Sequence, residues 1–320
     1  PPRSTLFPYT TLFRSLKSKI NLTHDLQYKQ AAFAEGEKTE ISVYINHSSL
    51  YRRLSAYVNK SLNPWILTVN DIHGWSNTDV LIRKDLLLMS GFITTSDLSY
   101  LQCFREAPVE DAKFAEELDE QTFYLYSMSI RSFDNYQEKY HIFQQKNHCV
   151  PNSSAYVEDS IYSLSAVTVL WKKIDPVQLI LSASTYSDSI GWMITVKPRD
   201  IIIAEQSIIG EMTNMKMDTT TYKGYKIGKL LLGKSARIFG DNTFSPLDIQ
   251  YFAVSNEYIQ FSSSKNIITR SIDRKVGGNS LNKSYIFKSF CSDINPQAAL
   301  LVYFSPFEGD RVIKNNFDTS

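Results

Sequence analysis

Asp248-Ile249-Gln250-Tyr251-Phe252-Ala253-Val254-Ser255-Asn256-Glu257-Tyr258-Ile259-Gln260-Phe261 opens the stretch whose reading decides the fold, which runs on to Pro306. Ile249 to Val254 and Tyr258 to Phe261 are rich in β-branched and aromatic residues, and the polar turn Ser255-Asn256-Glu257 joins them, so the spacing predicts a β-hairpin. A helix is expected over Asn266 to Val276, stopped by Gly277-Gly278. A second helix is expected over Asn282 to Cys291. Pro296 ends that connection, and Ala299-Leu300-Leu301-Val302-Tyr303-Phe304 reads as a buried strand.

The same order of elements recurs from Asp79 to Ile130. Asp79 to Ile82 and Leu86 to Ile93 form a second expected hairpin, followed by helical segments at Leu98 to Phe104 and Val109 to Leu118 and the strand Thr122 to Ile130. Lys84-Asp85-Leu86-Leu87-Leu88-Met89-Ser90 lies against Asn256-Glu257-Tyr258-Ile259-Gln260-Phe261-Ser262, and Leu118-Asp119-Glu120-Gln121 against Ile294-Asn295-Pro296-Gln297. The expected class is therefore α+β, with antiparallel sheets, helices packed on one face and two duplicated halves. The halves would span residues 16–146 and 155–320, the second truncated at its C-terminus, with the Pro- and Asn-containing stretch 147–154 as linker.

Residues 1–15, PPRSTLFPYTTLFRS, resemble a translated high-throughput sequencing adapter over their whole length and are expected to be non-native. On that reading the native start lies elsewhere, and the presence of a signal peptide is open. The full chain carries 34 basic and 33 acidic residues; setting aside Arg3 and Arg14 leaves 32 against 33, a net of −1. Such a balance gives no broad field toward nucleic acid or anionic membranes, so neither is an expected partner. Hydrophobic content of 43% and aromatic content of 13% predict a packed core. No apolar run reaches the length of a membrane-spanning helix; Leu164 to Leu181 is broken by Lys172-Lys173 and Asp175-Pro176. Cys103, Cys149 and Cys291 are too far apart for a metal pattern or a disulfide framework.

Between the repeats the pattern predicts helices over Leu50 to Val58, capped by Ser48-Ser49, over Phe133 to Phe143 and over Ser163 to Lys173. Val177 to Ser184 and Gly191 to Val196 read as an antiparallel pair. Pro198 is expected in the first turn of a helix over Arg199 to Glu211. Strands are expected at Ile41 to Ile45, Trp65 to Val69, Tyr222 to Leu232 and Ala236 to Phe239.

Trp75-Ser76-Asn77-Thr78-Asp79 leading to Gly91-Phe92, Tyr222-Lys223-Gly224-Tyr225-Lys226-Ile227, Tyr258 to Phe261 with Ser262-Ser263, and Asn279-Ser280-Leu281 running into Phe290 together resemble a family of uncharacterised bacterial cell-envelope proteins built on a domain of unknown function. The resemblance covers most of residues 41–306. It implies secretion to the periplasm or envelope and supplies no catalytic residues.

The residues that invite chemistry each have a plainer reading. Gly228-Lys229-Leu230-Leu231-Leu232-Gly233-Lys234-Ser235 matches G-x-x-x-x-G-K-[ST] letter for letter. A phosphate loop needs a buried strand before Gly228 and an unbroken helix after Ser235. Here three leucines fill the loop, and Gly240, Asp241-Asn242 and Pro246 interrupt the stretch where that helix would run. Gly228, Gly233, Lys234 and Ser235 are therefore read as strand and turn, with no cofactor assigned. Glu138, His141, His148 and Cys149 fit no closed four-ligand zinc spacing. His73 beside Asp71 has no nucleophile elbow to serve. Glu116-Glu117, Asp119 and Glu120 read as a solvated helix face. Tyr222-Lys223-Gly224-Tyr225-Lys226 reads as a lysine-guarded edge strand, with stacking on a sugar or base as the sharper alternative.

No metal, cofactor or catalytic residue is assigned. The expected function is a non-enzymatic envelope protein, a binding or scaffold module with an unknown envelope partner or ligand. A hydrolase-type enzyme with unidentified catalytic residues and a carrier of an apolar ligand are the alternatives.

Overall fold

The computed structural model describes residues 22–33, 41–56, 71–83, 86–147, 160, 162–186, 189–214, 219–294, 297–305 and 307–309. The chain separates into two compact units, residues 1–54 with 69–99 and residues 55–68 with 100–320.

In the first unit, helix α1 (Leu26–Phe33) precedes strand β1 (Ile41–Asn46), helix α2 (His47–Leu54) and the hairpin of β2 (Gly74–Arg83) and β3 (Leu86–Thr95). The strands form an antiparallel sheet in the order β1-β2-β3. Asp25 starts α1. Its Oδ1 accepts from the N–H groups of Gln27 and Tyr28 at 2.9 and 3.1 Å, and its Oδ2 accepts from the Trp75 indole at 2.8 Å. Burial works to raise the Asp25 pKa, but these three donors overcome it and hold the carboxyl below the usual range. The Tyr28 ring meets Trp75 edge-on at 5.2 Å and lies 5.3 Å from Tyr44. Asn46, rather than Ser48-Ser49, caps α2: its Oδ1 accepts from Ser49 N–H at 2.8 Å. Gly91 lets the hairpin close, because a Cβ there would lie 1.9 Å from the Asn77 carbonyl oxygen.

In the second unit, β4 (Thr122–Ser129), α3 (Phe133–Lys146), α4 (Leu164–Ile174), β5 (Pro176–Tyr186), β6 (Ser189–Pro198) and α5 (Ile201–Asn214) are followed by β7 (Thr219–Tyr222), β8 (Tyr225–Gly233), β9 (Ile249–Val254), β10 (Ile259–Ser262), α6 (Lys265–Val276), α7 (Tyr285–Asp293) and β11 (Leu300–Phe304). They build an eight-stranded sheet in the order β11-β4-β5-β6-β10-β9-β8-β7, antiparallel throughout.

The period of two explains its core. Leu179, Leu181, Ile194, Val196, Phe252 and Phe261 pack with Trp171 of α4 and Ile208 of α5. The alternate residues Ile180, Met193, Leu125 and Tyr303 pack with Phe114, Leu281 and Phe287 of α7. Helices thus cover both faces, not the single face expected, because the central strands are apolar on both sides.

Serine and aspartate side chains fix where the helices begin. The hydroxyls of Ser132, Ser163 and Ser264 accept from Asn135, Ala166 and Asn266 N–H at 3.2, 3.3 and 3.2 Å. Asp200 Oδ1 accepts from Ile202 and Ile203 N–H at 2.9 and 3.1 Å. Asp200 therefore sets the start of α5, and Pro198 stays at the end of β6 instead of entering the helix.

Other expectations shift in register or type. Leu98 to Phe104 and Val109 to Leu118 narrow to 3-10 turns at Tyr100–Phe104 and Ala112–Glu116, and a 3-10 turn Leu281–Lys283 precedes α7. Ala236 to Phe239 belongs to a 3-10 helix, Ser235–Phe239, rather than a strand. The carbonyl of its last residue, Phe239 O, accepts from Tyr136 OH at 2.5 Å and Tyr100 OH at 2.9 Å. β11 is an edge strand: Val302 is 49% and Phe304 45% exposed, while Leu301 and Tyr303 are buried. Its apolar composition conceals that only one of its faces is covered.

The two similar stretches differ in placement. The β2–β3 hairpin lies in the three-stranded sheet and the β9–β10 hairpin in the eight-stranded one, while their closing strands β4 and β11 are hydrogen-bonded neighbours. The structure does not show a duplication. Within 147–154, residues from 148 onward lie outside the described residues, as do Trp65 to Val69; β4 and β5, from either side of that stretch, pair in one sheet.

Candidate functional site

The turns β7–β8, at Lys223-Gly224, and β9–β10, at Ser255-Asn256-Glu257, leave the same end of the eight-stranded sheet, since Lys226 pairs with Val254. Lys223 and Gly224 both have positive φ, +47° and +87°, the conformation of a two-residue turn that matches strand twist. Ser255 holds the second turn by accepting from Tyr258 N–H at 3.1 Å, while its own N–H donates to Tyr258 O at 2.8 Å.

Between these turns lies an open groove of about 580 Å³. The segment Lys113 to Glu117 forms one wall, α6 contributes Lys275, and α5 contributes Glu205. Lysine–carboxylate pairs fix the walls. Lys226 Nζ lies 2.5 Å from Glu205 Oε1, Lys223 Nζ 2.7 Å from Asp273 Oδ1, and Lys113 Nζ 3.4 Å from Asp111 Oδ2. Lys275 Nζ donates to Glu117 Oε1 and lies 5.6 Å from the centre of the Tyr225 ring. Burial disfavours the charge on Lys275, but the Glu117 carboxylate outweighs it and holds the ammonium above the usual lysine range.

Glu117 is the most enclosed charge here. It is 7% exposed, its backbone carbonyl accepts from Gln260 Nε2 at 2.9 Å, and its Oε2 has no partner among the described residues. Tyr258 lies beside it; burial first, then the negative charges of Glu117, Glu257, Asp111 and Glu110, push its hydroxyl pKa well up.

No family model, no curated protein and no solved structure matches the chain.

The acidic run expected as a solvated helix face is divided by the fold. Glu116 is exposed, Glu117 and Asp119 are buried, and Glu120 accepts from Arg274 Nη1 at 3.0 Å. Burial raises the Asp119 pKa, partly offset by the Gln121 N–H that bonds its Oδ1 at 2.9 Å. Phe114 and Leu118, both buried, flank Glu117 and turn it inward. That apolar framing is the one signal the sequence offers. Lys275, 158 residues away in sequence, gives none.

The Tyr222 to Lys226 ribbon contributes to the groove through its turn and through Tyr225, while Tyr222 OH donates to Asp273 at 2.8 Å. Gly228 to Gly233 lie along β8, with Gly228 paired to Thr219 on one side and Phe252 on the other. Its backbone therefore runs in a ladder rather than around a cradle. A Cβ at Gly228 would meet the Phe252 ring at 2.5 Å. Leu230 and Leu232 are buried, Lys234 sits at the turn, and Ser235 is buried at the start of its 3-10 helix.

His141 on α3 contacts Gln145 at 2.8 Å; His148 and Cys149 lie outside the described residues. Among the described residues no group of three or more His, Cys, Asp or Glu side chains is placed to hold a metal. His73 has φ +39° beside Gly74 at the start of β2. The buried Cys103 thiol is pushed up by burial to about 12, which leaves it protonated at neutral pH. No described helix is long and apolar enough to cross a membrane.

Proposed function

We propose that the chain is a non-catalytic binding module of the cell envelope, with the groove at the β7–β8 and β9–β10 turns as its ligand site. The observation that carries this reading is the wall construction. Lys223 of the β7–β8 turn, Lys226 of β8 and Lys275 of α6 are tied to carboxylates of α6, α5 and Glu117 around a hollow of about 580 Å³. Such walls keep their shape and offer polar atoms to a ligand of several residues or rings. Placement in the envelope rests on the sequence resemblance alone.

The test is a binding panel of neutral oligosaccharides, acidic peptides and basic peptides, followed by NMR on protein carrying 13C-labelled tyrosine. The Tyr225 and Tyr258 signals are assigned by the Tyr225→Phe and Tyr258→Phe variants. One ligand class is expected to shift both signals saturably. If the whole panel leaves them unmoved, the groove is not a binding site. A cytosolic start of the complete gene, with neither signal peptide nor lipoprotein site, would overturn the envelope placement.

A further inference from the structure

We infer that the open edge of β11 pairs with the same strand of a second copy of this chain; the inference is independent of the groove. Two backbone bonds fix which groups of β11 are free. Ser129 N–H donates to Ala299 O at 2.8 Å, and Ser305 N–H to Phe123 O at 2.7 Å. Alternation between these ends turns the N–H and C=O groups of Leu301 and Tyr303 toward β4, and those of Leu300, Val302 and Phe304 outward. Among the described residues no backbone group pairs with these three. The open length has defined ends. On the outer side Ala298 exchanges two bonds with Glu110, at 3.2 and 3.4 Å, and past Phe304 a turn closes where Gly309 N–H donates to Ser305 O at 2.9 Å.

A second copy fits this length in one register. A two-fold axis at Val302 sets Val302 opposite Val302 of the second copy and Leu300 opposite its Phe304. All three pairs are then of the kind that exchanges two N–H···O bonds. Ser305 of the second copy reaches Ala299, and its own turn takes the chain out of the strand before Glu110. Leu300 to Phe304 carries no charge, so no like charges meet across the axis and every cross-strand pair is apolar. Val302 and Phe304, exposed in one copy, gain apolar neighbours from the other. The opposite edge of the sheet is built differently. β7 presents three exposed threonines and runs into Lys223, the kind of polar, charged edge that resists pairing.

The association of the full chain is measured by sedimentation equilibrium, with amide exchange at Leu300, Val302 and Phe304 read by NMR over the same concentration range. A reversible dimer is expected, and the three amides should gain protection as it forms. Val302→Lys sets two ammonium groups at the axis and should weaken the dimer at least tenfold. Val169→Lys, at an exposed position of α4, should leave it within twofold. Cysteine cross-linking under mild oxidation tests the register and decides the matter if Val302→Lys fails to fold. Val302→Cys should give an intermolecular disulfide beyond any formed by the unsubstituted chain, because the Cα atoms of such a pair lie about 5.5 Å apart. Phe304→Cys should not, because its two copies would lie about 13 Å apart along the strands. A chain that stays monomeric, an unchanged dimer in Val302→Lys, or equal cross-linking by Phe304→Cys overturns the inference. Protection of the three amides that does not vary with concentration also overturns it, and means that another segment of the same chain covers the edge.

Discussion

Ile180 and Leu181 are neighbours on β5, point to opposite faces of the eight-stranded sheet, and are both fully buried. Phe92 and Ile93 are neighbours on β3, point to opposite faces of the three-stranded sheet, and are 64% and 46% exposed. The larger sheet is held by apolar contact on two sides, with Trp171, Phe239 and Phe261 among its packing. The smaller sheet carries polar anchors beside the Tyr28, Tyr44 and Trp75 rings: the Asp25 bond to Trp75, the Thr94 hydroxyl donating to Trp75 O at 3.0 Å, and the helix caps made by Asp25 and Asn46. The first kind of hold scales with buried area and is insensitive to pH. The second depends on individual donors and charges, and on the titration of each.

The largest expected effect tests the apolar side of this contrast. Trp171→Ala removes a fully buried side chain between Phe239 and Phe261, and should cost about 3–5 kcal/mol. Amide hydrogen exchange on β5 and β6 should lose that much protection. A loss below about 1 kcal/mol would mean that the core collapses around the gap and that packing is not what holds the larger sheet.

A smaller effect tests the polar side through pH. His47, 8% exposed at the start of α2, has no partner for either ring nitrogen among the described residues, and burial lowers its pKa. The unfolded chain then binds the extra proton more readily than the folded one. Stability of the first unit is therefore full above the unfolded histidine value of about 6.5 and is lost as pH falls from there toward the lower folded value. Asp25 acts later with the same sign. Its folded pKa lies below 3.8, so its contribution is present above that value and lost as pH falls further. Exchange protection of β2 amides should drop as pH falls below about 6.5, and His47→Phe should abolish that drop while leaving the acid step. An equal drop in β5 amides over the same range would erase the distinction between the sheets.

The same contrast decides what can be read from the sequence. The central strands, whose apolar residues run on without alternation, are legible as strands, and so are helices opened by serine, such as α3, α4 and α6. Both hairpins are legible from Arg83-Lys84-Asp85 and Ser255-Asn256-Glu257. What is lost depends on neighbours distant in sequence. Leu300 to Phe304 looks buried by composition, but whether a strand ends a sheet is set by what else pairs with it. Ser235–Phe239 looks like a strand until two tyrosines from far upstream take the Phe239 carbonyl. In the groove, Tyr225 and the lysines of the β7–β8 turn stand out as a ribbon, but the Lys223-Gly224 turn reads as part of one long strand. Glu117 reads as one of a group of solvent-facing acids because its pairing to Lys275 spans 158 residues.

The smallest expected effect lies where the larger sheet borrows the polar device of the smaller one. Tyr100 OH, Tyr136 OH and Phe239 O lie 2.5 to 2.9 Å from one another in the interior. Two hydroxyls carry two protons, so three close contacts share them. Tyr136→Phe leaves Tyr100 to donate to Phe239 O at 2.9 Å, and Tyr100→Phe leaves Tyr136 to do the same. Neither variant strands a buried carbonyl, so each should cost only about 0.5–1 kcal/mol. The double variant leaves Phe239 O without its donors and should cost more than the two singles together, with an excess of about 1 kcal/mol in a double-mutant cycle by urea unfolding. The excess arises because the first substitution removes a redundant donor and the second removes the last one. Strict additivity would show that the carbonyl finds another donor, and that the tyrosine cluster, like Trp171 beside it, contributes by packing alone.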